Sequence, residues 1–180
     1  IAPIVSSRRA ADIILKMWAR RYDRTADFVV IEGPKAGGHL GFSDEELADI
    51  ENIDYDEEIK DIIECTKEYG EKYNTHIPVI VAGGIFDHDD IIHALELGAD
   101  GVQIASRFVA TKECDASDEY KQAYLDAKED DVKIIKSPVG MPGRAIRNDF
   151  IKRVEKEKQP VDKCYNCMKK CNPNEVPYCI

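Results

Sequence analysis

Four short apolar runs constrain the fold of this chain more than any other feature. Residues 1 to 5 (IAPIV), 28 to 31 (FVVI), 79 to 82 (VIVA) and 102 to 105 (VQIA) are continuous rather than alternating. Continuous runs suit parallel strands buried on both faces. Helical patterns lie between them. Ser6 or Ser7 is placed to cap a helix with apolar positions Ala10, Ile13, Ile14, Met17 and Trp18. It ends in Arg20 and Arg21, where the helix dipole favours cations. Ser43 with Glu46 reads as a capping box. A helix from about residue 55 puts Ile59, Ile62, Ile63 and Thr66 on one face. Asp87 caps another, with Ile91, Ile92 and Leu95 inward and Gly98 as the stop. Ser117 caps a fourth, with Tyr120, Ala123, Tyr124 and Ala127 inward, and a short strand follows over 132–135.

This β-α alternation specifies an α/β fold with a parallel sheet. A doubly wound sheet and part of a (β/α)8 barrel both fit. A full barrel takes ~250 residues, so 180 residues supply only a portion. The chain opens on a strand and lacks an initial Met, and is expected to be a piece of a longer protein. No run approaches the ~20 apolar residues of a membrane helix, and no signal peptide is visible, so a cytoplasmic location is expected. The net charge is −10, and residues 44–64 hold eleven Asp or Glu against one Lys. That argues against a phosphate-tracking nucleic-acid surface and reads as a solvated acidic face.

Glycine loops follow the strands, at the end where α/β folds place their sites. Gly37-Gly38 follows FVVI, Gly83-Gly84 follows VIVA, and Ala105-Ser106 follows VQI. Without Cβ atoms, such loops can present N–H groups to phosphate oxygens. They also serve as plain strand-to-helix turns. His39 sits between Gly38 and Gly41, where an imidazole has room to move protons near neutral pH. His76, His88 and His93 have no comparable setting.

The stretches VVIEGPKAGGHLGF, IPVIVAGGIFDHDDIIHALELGADGVQIASRF and GMPGRAIRN together resemble the nitronate monooxygenase family, once called 2-nitropropane dioxygenases. The resemblance runs over nearly the whole chain. It implies the C-terminal part of a (β/α)8 TIM barrel that carries FMN. It assigns His39 as the catalytic acid or base beside the flavin, and Gly83-Gly84 and Ala105-Ser106 as phosphate loops. The family more often has Gly-Thr at the second loop, and Ser106 keeps the hydroxyl. Gln103 is expected under the flavin, with Gly37 and Gly38 bordering it. Arg144, Arg147 and Asn148 match a lid-like segment, and Met141 stands where relatives often carry Arg. The implied domains are 1–135, later βα units of the barrel; 136–158, a lid-like loop and helix; and 159–180, a Cys-rich C-terminal extension.

The activity so implied is FMN-dependent oxidation of alkyl nitronates or nitroalkanes with O2. A nitronate is a stabilised carbanion that gives electrons to flavin, while the protein supplies orientation and proton handling. The same motifs resemble the FMN-type enoyl-ACP reductases, which need NAD(P)H. A reading of another class is a non-catalytic barrel fragment that docks a partner chain. The expected partners are a small-molecule substrate and the N-terminal half of the barrel, in the same protein or a second chain. Open strand edges would otherwise favour self-association.

Cys164, Cys167, Cys171 and Cys179 crowd the tail as C-x2-C-x3-C-x7-C. Thiolates at such spacing can converge on an Fe–S cluster or tetrahedral Zn2+. Free thiols and disulfides remain open alternatives. Cys65 and Cys114 read as ordinary thiols.

Overall fold

The computed structural model describes residues 1–169 and 171–179. Its frame is a four-stranded parallel sheet of β1 (Ile4–Val5), β2 (Val29–Glu32), β4 (Val79–Ala82) and β5 (Gly101–Gln103). Ile31 stands opposite both Val5 and Val81, and Val81 opposite Val102. The strands lie side by side in chain order. A doubly wound sheet reverses direction at a switch point. This one does not, and its order is that of a barrel portion.

Strand residues alternate between two faces. Val5, Val29, Ile31, Val79 and Val81 pack with α1 (Arg8–Tyr22) and α3 (Tyr55–Lys72) in one apolar cluster. Ile59, Ile62, Ile63 and Thr66 of α3 are all buried there, as their spacing predicts. Arg8 ties the helices together: its backbone N–H donates to Glu58 Oε1 at 2.5 Å and its guanidinium to the Asp61 carbonyl at 3.1 Å. Tyr69 adds a hydroxyl bond to Asp12 Oδ1 at 2.8 Å. The opposite sheet face is partly open, with Ile4 60% exposed.

The caps at Ser7, Ser43, Asp87 and Ser117 all form. The inward faces of three helices differ from expectation. In α1 the buried residues are Ala11 and Leu15, while Ile13 and Met17 are exposed. The stripe facing the sheet is rotated by about one residue toward Leu15. In α4 (His88–Glu96) the buried residue is Ala94, and Ile92 and Leu95 face outward. A small residue sits where this helix lies against β5. In α6 (Asp118–Asp126) no residue is buried, and Tyr120 is exposed.

A second, antiparallel sheet joins β3 (Gly38–His39), β7 (Pro142–Ile146) and β6 (Val132–Lys136) in the order β3-β7-β6. The segment expected as a lid is thus a strand, β7, followed by α7 (Asp149–Lys156). Ile62 has no exposed surface, so Ile62→Ala should cost about 2–5 kcal/mol through lost burial and a residual cavity. Urea unfolding of both proteins measures this, and a change below about 1 kcal/mol would mean α3 is not locked to the sheet.

Candidate active site

A cavity of about 600 Å³ opens at the C-terminal ends of β2, β4 and β5. Gly37, Gly38, Gly83, Gly84, Gln103, Ala105 and Ser106 all line it. The glycine requirement is physical at two of these positions. Gly83 and Gly84 have φ of +89° and +88°. A Cβ on Gly83 would stand 3.0 Å from the Ala36 nitrogen and the Gly33 carbonyl oxygen, and one on Gly84 3.0 Å from Lys35 Cβ. The two loops approach too closely for a side chain at either glycine. Ala105 precedes the one-turn helix α5 (Ser106–Val109). Glu32, at the end of β2, also lines the cavity, and burial pushes its carboxyl above the ordinary value. Its carbonyl accepts the Tyr55 hydroxyl at 3.0 Å.

The antiparallel sheet builds one wall. Gly38 pairs with Arg144 and His39 with Gly143, and the Leu40 N–H donates to the Pro142 carbonyl at 2.9 Å. His39 Nε2 lies 2.5 Å from Ser137 Oγ. Ser137 is 3% exposed and accepts the Val139 N–H at 3.1 Å. Its oxygen therefore keeps one lone pair and one proton for the imidazole. Ser137 escaped the sequence reading, and its only signal there is a Ser-Pro turn. The His39 ring is exposed. It sits at the rim beside Gly37 and Gly38, not among the residues enclosing the cavity.

Arg144 lines the cavity and holds its loop. Its Nη1 donates to the Ala36 carbonyl at 3.0 Å and also to that of Pro34. Burial lowers the guanidinium from its ordinary value, and it remains a cation. Arg147 and Asn148 act elsewhere. Arg147 forms a forked ion pair with Glu155, the closest contact being 2.6 Å. Asn148 caps α7 by accepting the Ile151 N–H at 3.0 Å. Met141 is exposed in the β6–β7 turn.

The tail cysteines lie apart from this site. Cys164, Cys167 and Cys179 are exposed, Cys171 is half-buried, and all are free thiols. All four line one cavity of about 360 Å³. Burial raises the Cys171 thiol, and Cys164, Cys167 and Cys179 raise it further. Among the described residues no three His, Cys, Asp or Glu side chains are placed to hold one metal ion. A metal centre needs its donors together, so the expectation of an iron–sulfur cluster or zinc at these cysteines finds no support. Elsewhere His76 pairs with Asp100 and His93 with Asp56, both at the surface, as expected for histidines outside the site.

The nitronate monooxygenase family model matches residues 1–173. The chain belongs to this family. It is 30% identical over 161 residues to a probable nitronate monooxygenase of Staphylococcus aureus, covering 84% of this chain and 42% of that protein. It is 32% identical over 128 residues to the Staphylococcus saprophyticus counterpart, covering 71% and 34%. Among solved structures, FabK from Thermotoga maritima superposes with a TM-score of 0.61 at 29% identity, over 86% of this chain and 42% of FabK. Nitroalkane oxidase from Streptomyces ansochromogenes gives 0.61 at 27%, over 84% and 39%. The chain spans roughly two-fifths of the length of most of these relatives. The family and the Streptomyces neighbour are named for oxidoreductase activities. No helix among the described residues is long and apolar enough to cross a membrane.

Gly83→Ala should destabilise the fold by about 1–3 kcal/mol, because Ala at that φ is strained and crowds Ala36. Urea midpoints test this, and an unchanged midpoint would deny the close approach of the two loops.

Proposed function

We propose that this chain forms the FMN-binding and proton-handling part of an enzyme that oxidises alkyl nitronates or nitroalkanes. The observation that carries the reading is the cavity at the strand ends, lined by all seven expected cofactor residues with His39 at its rim. The residues fit an FMN. The cavity volume lies in the range of small-molecule sites. Gly83 and Gly84 line it without side chains of their own. Gly83, Gly84, Ala105 and Ser106 would hold the phosphate, and Gln103 would contact the ring. When bound, the flavin accepts the electrons of the carbanionic substrate and passes them to O2.

The chain's own task is to place the substrate and move its proton. A neutral nitroalkane must lose a carbon-bound proton before it can give up electrons. His39 is the group for that step, with Nε2 or Nδ1 as the base. Ser137 suits both protonation states of His39. Its hydroxyl donates to a bare Nε2 and its free lone pair accepts from a protonated one. Arg144 keeps the imidazole in place by fixing the Pro34 and Ala36 carbonyls. For a substrate that arrives as the nitronate anion, protonated His39 steadies the nitro oxygens instead.

The open sheet face and the free edges of β1 and β5 support a partner that completes the barrel, as part of the same protein or as a second copy or chain. A second reading, reduction of enoyl thioesters with NAD(P)H, is favoured by the likeness to FabK. Turnover of propionate-3-nitronate, set against crotonyl thioester with NADPH, separates the two. The non-catalytic reading predicts neither activity and no flavin in the completed barrel.

His39→Ala should retain the two-banded flavin spectrum and lose about 10²–10⁴-fold in kcat with a neutral nitroalkane. Full turnover by the variant would remove His39 from the mechanism.

A further inference from the structure

The tail from residue 159 carries no helix or strand among its described residues, yet three contacts close it into a loop on α7. The Gln159 N–H donates to the Pro177 carbonyl at 2.9 Å, and Lys158 Nζ to that of Pro173 at 2.8 Å. The Tyr178 ring meets Phe150 of α7 edge-on, with centroids 5.2 Å apart. That geometry is a favoured one for aromatic pairs. Burial pushes the Tyr178 hydroxyl above its ordinary value. Segments of this kind order only when tied down, and these are the ties.

The loop faces the active-site wall. Met168, Val176 and Pro177 share a cavity of about 310 Å³ with Ser137, Pro138 and Val139. Ser137 is the hydrogen-bond partner of His39. Burial changes abruptly at this turn. Val132 and Ile134 of β6 are 41% and 37% exposed, Ser137 is 3% exposed, and Met141 is 44% exposed. The covered stretch is the one opposite the tail. The turn's own bonds are all local. The Gly140 N–H donates to the Ser137 carbonyl at 3.2 Å, the Ser137 N–H to the Met141 carbonyl at 3.3 Å, and the Val139 N–H to Ser137 Oγ at 3.1 Å. Such a turn opens readily in contact with water. A hydrogen bond between side chains is stronger where water is kept out.

We propose that the tail is a clamp that positions His39. It roofs the Ser137 turn and keeps water from the hydroxyl, and the Tyr178–Phe150 pair holds the roof shut. Met168, Val176 and Tyr178 are therefore positioning residues, which act on the imidazole through Ser137. The catalytic consequence rests on His39 handling the substrate proton; the clamp itself does not.

Amide hydrogen exchange of the full chain, read residue by residue by NMR, tests the clamp. Tyr178→Ala should speed exchange at Val139 and Gly140 about tenfold, through loss of the ring pair and its buried area. Tyr178→Phe keeps the ring and should match the unaltered chain. Tyr165→Ala should match it too, since Tyr165 belongs to the same tail but is 74% exposed and does not line the shared cavity. Val176→Ser leaves the ring pair intact and should speed the same two amides. The Ile62 amide in α3 should stay unchanged throughout. Unchanged exchange at Val139 and Gly140 in both Tyr178→Ala and Val176→Ser overturns the proposal, as does an equal gain in Tyr165→Ala. A gain that extends equally to Ile62 would mean that the tail holds the whole fold, and overturns it as well. In the completed enzyme, Tyr178→Ala should keep the flavin spectrum and lose about tenfold in kcat with a neutral nitroalkane, and Tyr178→Phe should restore it. Full turnover by Tyr178→Ala would deny that the clamp positions His39. If the completed enzyme oxidises no nitroalkane, the reading of His39 fails while the exchange result stands, so the two are judged separately.

Discussion

The Gly37-Gly38 loop has no side chains with which to hold itself, and its position depends on the guanidinium of Arg144. That group reaches the Pro34 and Ala36 carbonyls from more than a hundred residues away in sequence. The same strand residue pairs with Gly38 through the backbone. Arg144 therefore joins the two sheets at the point where His39 leaves the parallel frame. Both bonds leave one nitrogen, Nη1, whose two hydrogens meet the two converging carbonyls. Its partial burial lowers the guanidinium from its ordinary value, but the charge remains and the two acceptors offset part of the desolvation.

The parallel sheet is the rigid part of this arrangement. Its apolar contacts with α1 and α3 are local in layout, each strand lying beside the next in the chain. The cavity lies at one end of the sheet, where the strands stop and their backbone groups turn into loops. Gly83 and Gly84 shape that end by allowing the Lys35-Ala36 segment to lie directly on them. The cavity and the imidazole of His39 come from different layers. The parallel strands supply the space, and the antiparallel sheet supplies the imidazole with its hydroxyl partner.

What was legible in the sequence follows the range of the forces involved. FVVI and VIVA are mostly buried, with Phe28 the exposed exception, and their composition announces it. The stripe Ile59, Ile62, Ile63, Thr66 was legible because α3 packs with an ordinary helical period. Ala94 was not, since a methyl group at the closest approach of helix and sheet counts for little on any apolar scale, while Ile92 and Leu95 attract attention and point outward. The strand PGRAI has no apolar run. It is a strand because β6 and β3 flank it, a long-range pairing that no local window contains. Ser137 was hidden for the same reason, because its significance lies wholly in what folds against it. That Gly37, Gly38, Gly83, Gly84, Gln103, Ala105 and Ser106 share one cavity was readable because strand ends and glycines are local signals.

The separation along the chain between the parts of the site has a consequence for synthesis. His39 and Ser137 are 98 residues apart, and Arg144 lies 110 beyond Pro34. A ribosome releases the sheet strands and the glycine loops first, and domains fold as their residues emerge. The imidazole then waits, unanchored, until nearly the whole of β6 and β7 has followed. The strand-end cavity can take shape on a nascent chain before Ser137 and β7 arrive to hold the imidazole. Premature termination before about residue 142 would thus leave the glycine loops in place with His39 unanchored, so the two parts of the site mature in a fixed order.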